Sequence, residues 1–167
     1  MKTLLIMRHA KSSWKDSHIP DHDRPLNRRG KHDAPLMGKL LRDQKMNLDL
    51  IISSTALRAE TTANLIAKAV KYKVEIILDK SIYNADPPDL LTILSNCSDE
   101  YNSILLVGHN PTVEETVQML ANSAEITMAT CAIAHLTLSI DAWTELKEKK
   151  TFGSKLENFW TPKELFY

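Results

Sequence analysis

The chain has 167 residues, 43% of them hydrophobic, and its 21 Lys+Arg balance 21 Asp+Glu. That length suits one domain spanning residues 1–167 with a full core. Neutral charge gives no global field for nucleic acid or an anionic membrane, so any affinity for anions must come from local placement. No apolar stretch approaches the ~20 residues needed to cross a bilayer, and the run 3–7 is too short for a signal-peptide core. A soluble, cytoplasmic, monomeric protein is expected.

Residues 3–7 hold the continuous apolar run Leu4-Leu5-Ile6-Met7, as expected of a central strand covered on both faces, and lead straight into Arg8-His9-Ala10. Residues 12–24 lack periodicity and are rich in charge and histidine, so they read as a loop over the mouth of a pocket. Asn27 is placed as the N-cap of a helix running to about Gln44, with Leu36, Leu40 and Leu41 on its apolar side. A second strand, 50–53, leads through Ser54-Thr55-Ala56-Leu57 to Arg58, after which Ala59, Ala63, Ile66, Ala67 and Val70 keep a helical stripe. Residues 74–78 read as a third strand. Pro87 and Pro88 then open a helix that carries Leu90, Leu91 and Leu94.

The apolar strand 103–107 ends in Gly108-His109-Asn110-Pro111, where Asn110 is expected to cap and Pro111 to open a helix with Val113, Val117, Leu120 and Ala121 inside. Residues 131–138 alternate more and suit an edge or antiparallel strand. Beyond Trp143 the pattern weakens. Lys147-Glu148-Lys149-Lys150 reads as a solvated turn, with Phe159, Trp160, Phe166 and Tyr167 packed onto the domain. Strands alternating with helices imply right-handed crossovers and the α/β class, a three-layer α/β/α sandwich with a mainly parallel central sheet.

In such a sheet the carboxyl ends of the strands share one edge, where ligands bind. Arg8, His9, Arg58 and His109 all follow strands, so they are expected to meet there, and phosphate is the ligand they suit. A neutral imidazole is a competent nucleophile toward phosphorus, which assigns that role to His9. Forked guanidinium groups on Arg8 and Arg58 match the three charged oxygens of a transferring phosphoryl group. Those arginines also disfavour a charged His9. The far ring nitrogen of His9 is expected to find a backbone carbonyl or a similar acceptor. His109, before a helix N-terminus, is placed to donate to the phosphoryl oxygens.

Weaker signals favour bland readings. His18-x-x-x-His22 with Asp21 and Asp23 has ligand spacing only if helical, and Pro20 interrupts it, so a solvated loop and no metal are expected. Cys97 and Cys131 form no metal spacing and read as reduced, packed thiols. His32 reads as a surface residue and His135 as a packed one. Four glycines leave little room for a nucleotide-binding fingerprint, and no cofactor is expected.

Taken together, Arg8-His9, the pattern Ser54-x-x-x-Arg58-Ala59-x-x-Thr62-Ala63 and Gly108-His109 resemble the histidine phosphatase superfamily, from residue 1 to about 138. The resemblance implies a phosphoglycerate-mutase-like fold, His9 as nucleophile, Arg8 and Arg58 as phosphate arginines, and His109 as the second histidine. Ser12 is implied as a further phosphate contact. Ala10 stands where members usually have Gly, so the backbone there needs no positive φ. Arg8-His9-Ala10-Lys11-Ser12-Ser13-Trp14 with Asp23-Arg24-Pro25-Leu26 is most similar to the SixA-like phosphohistidine phosphatase branch. Mutases and many monoesterases carry a glutamate acid after the third strand. Here Asn84 aligns with it, leaving Asp86 or a carboxylate of the 16–23 loop as candidate general acid and helix capping as the plainer role for Asp86.

The expected substrate is therefore a phosphohistidine on a protein, such as a histidine phosphotransfer domain, or a small phosphorylated metabolite. A small-molecule phosphomonoesterase of the same fold is the nearest alternative. A non-catalytic phosphate-binding module is the alternative from another class.

Overall fold

The computed structural model describes residues 1–148 and 153–167. Its strands are β1 (Lys2–Arg8), β2 (Leu50–Ser53), β3 (Ile77–Leu78), β4 (Ser103–Gly108), β5 (Ile133–Leu138) and β6 (Lys155–Trp160). The helices are α1 (Arg28–Asp43), α2 (Leu57–Val70), α3 (Pro87–Ser95), α4 (Thr112–Ala121), α5 (Glu145–Glu148) and α6 (Pro162–Phe166). One sheet takes the order β3-β2-β4-β1-β5-β6. β1, β2, β3 and β4 pair in parallel, while β5 runs antiparallel to β1 and β6 antiparallel to β5.

The two faces of the sheet bury separate cores, because successive strand side chains point to opposite sides. Leu4 and Ile6 join Ile52, Ile104 and Leu106 under α3 and α4, where Leu90, Leu94, Val113, Val117 and Trp143 complete the layer. Leu5 and Met7 join Ile51, Leu105 and Val107 under α1 and α2, with Met37, Leu41, Ala63 and Ile66. Every residue of β2 and β4 is buried, which is why those segments read as unbroken apolar runs. Three layers follow directly.

Several expectations need correction. The strand expected over 74–78 is only Ile77–Leu78, both exposed, since it lies at the sheet edge and leaves β2 as its single neighbour. β5 begins at Ile133 rather than at residue 131, because Cys131 turns into the left-handed region at φ 69°. β5 is internal, covered by β6, an edge strand whose exposed polar residues hid it in the sequence. In α1, Asn27 caps as expected by accepting the Gly30 N–H (2.9 Å), but the fully buried stripe is Ala34, Met37, Gly38 and Leu41, with Leu36 and Leu40 only half-buried. Lys147 and Glu148 end a short helix, and the Lys149-Lys150 half of the expected turn lies outside the described residues. Phe159, Trp160 and Phe166 pack on the two cores, while Tyr167 stays largely exposed. Cys97 and Cys131 are free thiols, the latter buried. Among the described residues no helix is long and apolar enough to cross a membrane.

Candidate active site

β1, β2 and β4 end side by side, with Arg8 level with Gly108 and Ser53 level with Val107. Parallel pairing therefore delivers His9, Ser54 and His109 to the same edge. The backbone continues the sheet there: His9 N–H donates to Gly108 O (3.0 Å) and Ser54 N–H to Val107 O (3.1 Å). Arg58 sits in the first turn of α2, and Thr62, one turn on, ties that helix to the residue after His9. Its hydroxyl donates to Arg58 O (2.7 Å) and accepts the Ala10 N–H (3.0 Å). Ala10 is buried and is not among the positive-φ residues described.

His9 is 7% exposed. Its Nδ1 lies 2.7 Å from the Ala10 carbonyl, which can only accept, so Nδ1 carries the proton and Nε2 keeps its lone pair. Arg58 Nε donates to that Nε2 at 3.3 Å, in agreement with the same tautomer. Burial, helped by His109, Arg58 and Arg8, pushes the His9 pKa down to about 3. The direction matches the sequence reading, but desolvation outweighs the arginines. His109 lies 5.1 Å from His9 between ring centroids, and burial followed by Arg58 pushes its pKa down to about 4. Both rings are neutral at pH 7.

His109 Nε2 pairs with Ser54 Oγ (2.8 Å), and Ser54 Oγ also accepts the Ala56 N–H. Arg8 Nη1 donates to Met128 O (3.0 Å). Asn110 donates to the same carbonyl and to Glu114, whose carboxylate also accepts the Met128 N–H. This use of Asn110 replaces the expected cap, and Pro111 stands at the N-cap position of α4. Arg8 Nε and His109 Nδ1 are each buried with no partner among the described residues. An unmade buried hydrogen bond costs ~1–3 kcal/mol, so these two atoms are candidates for pairing with a ligand.

The sequence reading missed the residue that holds Arg58. Asp21, in a short 3-10 turn of the loop, accepts from Arg58 Nη1 through its main-chain carbonyl (2.7 Å) and from Nη2 through Oδ2 (3.1 Å). Tyr83 donates its hydroxyl to Asp21 Oδ2 (2.5 Å), and Arg24 Nε donates to Oδ1 (3.0 Å). These donors, Tyr83 foremost, hold the Asp21 carboxyl far below its usual range, and the carboxylate in turn raises the Tyr83 phenol. Tyr83 also meets His109 and His22 edge-on, at 5.5 and 4.9 Å. The loop does cover the strand ends, and only a lack of periodicity concealed which of its carboxylates faces inward.

The remaining candidates have other partners. The buried Ser12 hydroxyl accepts from Arg24 Nη1 (2.8 Å), one step behind Asp21. Asp86 is exposed and accepts the Asp89 N–H (3.0 Å) while Asp89 returns the bond, a capping box at the start of α3. Asn84 is exposed. His18 pairs with Asp16, and His22 with Thr55, and no cluster suited to a metal occurs among the described residues. His32 is exposed, while His135 is buried and stacked on Trp160.

Comparison with known proteins gives a consistent picture. Residues 4–86 match the profile of the histidine phosphatase superfamily, branch 1. An uncharacterised chloroplastic protein of Arabidopsis thaliana is 33% identical over 153 residues, covering 86% of this chain and 70% of the relative. Among solved structures, a protein assigned as the phosphohistidine phosphatase SixA of Agrobacterium tumefaciens superposes with a TM-score of 0.80 and 28% identity, covering 96% of this chain and 98% of that one. The protein histidine phosphatase SixA complexed with tungstate gives a TM-score of 0.82 at 23% identity over 98% of this chain and 99% of its own, a match of fold.

Proposed function

We propose that this chain, which belongs to the histidine phosphatase superfamily and is a phosphatase, removes phosphoryl groups from protein phosphohistidine through a phosphorylated His9. The observation that carries the reading is the state of His9: buried, neutral, with its Nε2 lone pair directed into the cluster. Nε2 attacks phosphorus as the bond to the substrate imidazole breaks. Water then attacks phospho-His9, releasing inorganic phosphate and restoring the ring. Arg8, Arg58 and His109 hold the phosphoryl oxygens. A phosphoryl oxygen against His109 Nδ1 would select the tautomer protonated there, with the Ser54 hydroxyl then donating to Nε2, and the unpaired Nδ1 and Arg8 Nε would both be donors to those oxygens. No metal or cofactor enters the scheme.

The surroundings favour a nitrogen leaving group. An alkoxide needs a proton, and a positioned acid supplies ~10²–10⁴-fold. Asp21 is ionised and committed to Arg58, and Asp86 is committed to its cap. An imidazole whose distal nitrogen is protonated leaves neutral and needs no such acid. The SixA likeness supports the same choice.

Offering the purified protein a phosphohistidine peptide and an aryl phosphate in parallel tests the reading. Faster turnover of the phosphohistidine is expected, and hydrolysis of the aryl phosphate alone would remove it. Binding of vanadate without turnover of either would instead indicate a phosphate-binding module.

A further inference from the structure

Beside the active-site loop lies a concavity of about 590 Å3, lined by Lys15, Asn27, Arg28, Arg29, His32 and Tyr167. Its wall begins close to the chemistry: Asn27 N–H donates to the carbonyl of Lys11, two residues after His9, and a strand-like bridge joins Ser12 to Leu26. The groove thus adjoins, through the backbone, the segment that follows His9.

Of the groove's three cations, Lys15, Arg28 and Arg29, only Arg29 is compensated among the described residues. Asp33 is its one nearby buried carboxylate among the described residues, and it is used in full: Oδ2 accepts from Arg29 Nε (3.3 Å), while Oδ1 accepts from Tyr167 (2.8 Å) and faces His32 (3.2 Å). Asp16 is turned to His18. The side chains of Lys15 and Arg28 are exposed and make no hydrogen bond or ion pair among the described residues. On a chain of formal net charge zero, this is a local excess of cations.

Next to Lys15, Trp14 is 72% exposed, and the Arg24 guanidinium is stacked 3.4 Å from its ring centroid. Arg24 is buried and fixed by Asp21, Ser12 and Ser13, so the indole is anchored through the loop that also holds Arg58. An exposed but anchored tryptophan beside unpaired cations has the composition of a protein-binding patch, where aromatic anchors carry most of the affinity. A nucleic acid strand would require a longer cationic track than this neutral chain presents.

We propose that the groove and Trp14 dock an acidic segment of the phosphoprotein substrate, with its carboxylates against Lys15 and Arg28 and an apolar side chain against Trp14. The inference deepens the phosphohistidine-protein reading and rests on it for the identity of the partner. Charge complementarity of this kind acts mainly through encounter rate and specificity, so it should appear in kcat/KM and fade with salt.

Two phosphohistidine decapeptides, identical except that the glutamates of one are glutamines in the other, provide the test with full-length protein. Wild type is expected to prefer the acidic peptide in kcat/KM by about tenfold at low salt. Lys15→Gln/Arg28→Gln should abolish that preference and leave kcat for phosphoramidate, a small N–P substrate, unchanged. Equal preference in wild type and variant overturns the proposal. Direct binding separates this outcome from failure of the catalytic reading. The unphosphorylated acidic peptide, labelled with fluorescein, should bind wild type with vanadate present and bind the double variant at least about tenfold more weakly. Displacement of the peptide by vanadate, unaltered binding by the variant, or tighter binding of a thymidine decanucleotide overturns the docking surface. Absence of phosphohistidine turnover alongside peptide binding that the variant loses overturns only the substrate assignment.

Discussion

His9 and His109 are buried as neutral rings, and this sets how the molecule should respond to acid. Their pKa values, about 3 and about 4, lie below the ordinary 6.5, so the unfolded chain takes up protons that the folded one refuses. The two rings leave stability unchanged just above pH 6.5 and lower it below that, by up to about 1.4 kcal/mol per pH unit for each ring. Denaturant titrations at pH 6.5, 5.5 and 5 should give a shallower decline for His9→Ala than for wild type; parallel slopes would mean the ring is solvated. If His9 is the nucleophile, the enzyme-side acidic limb of activity should likewise fall below pH 5, and a limb near 6.5 would contradict a desolvated His9. Asp21 makes a separate claim. Hydrogen bonds to charged groups contribute about 1.5–3 kcal/mol, so Asp21→Asn should lower kcat/KM by roughly ten- to a hundredfold with the fold retained. Unchanged kinetics would show that Arg58 keeps its place without the loop.

At the scale of elements, α1 and the loop before it meet through a glycine. A Cβ at Gly30 would lie 2.2 Å from Lys11 O, a backbone atom that cannot rotate away. Gly30→Ala should therefore cost about 1–3 kcal/mol, as overpacking typically does, and should lower activity by moving the segment just after His9. Thermal unfolding checks the first effect, and wild-type stability would refute the close approach. The same elements explain what the sequence made legible. β1, β2 and β4 are buried on both faces, so their apolar runs needed no context. β3 and β6 are edges with exposed residues, and their strand character comes from the neighbour they pair with, which lies far away in the chain. Asn27 could be read as a cap because its side chain acts locally. Asn110 could not, because its amide serves Met128 and Glu114 instead.

For the whole molecule, strand order is what converts separated motifs into one site. Arg8-His9, Ser54 to Arg58 and His109 come together because β1 lies next to β4 and β4 next to β2, all parallel. That convergence was legible, since each motif follows an apolar strand. Asp21, Tyr83 and Arg24 were not, since they reach the site from a loop and from the turn after β3, where no period marks which side chain points inward. The measurement that bears most directly on phosphoryl transfer through His9 is rapid acid-free quenching of wild type and His9→Ala with a 32P-labelled phosphohistidine donor, followed by peptide mapping. A base-stable, acid-labile phosphoryl group on the His9 peptide, formed before phosphate is released and missing from His9→Ala together with turnover, is the expected result. Turnover that survives in His9→Ala, or label found on another residue, would contradict it.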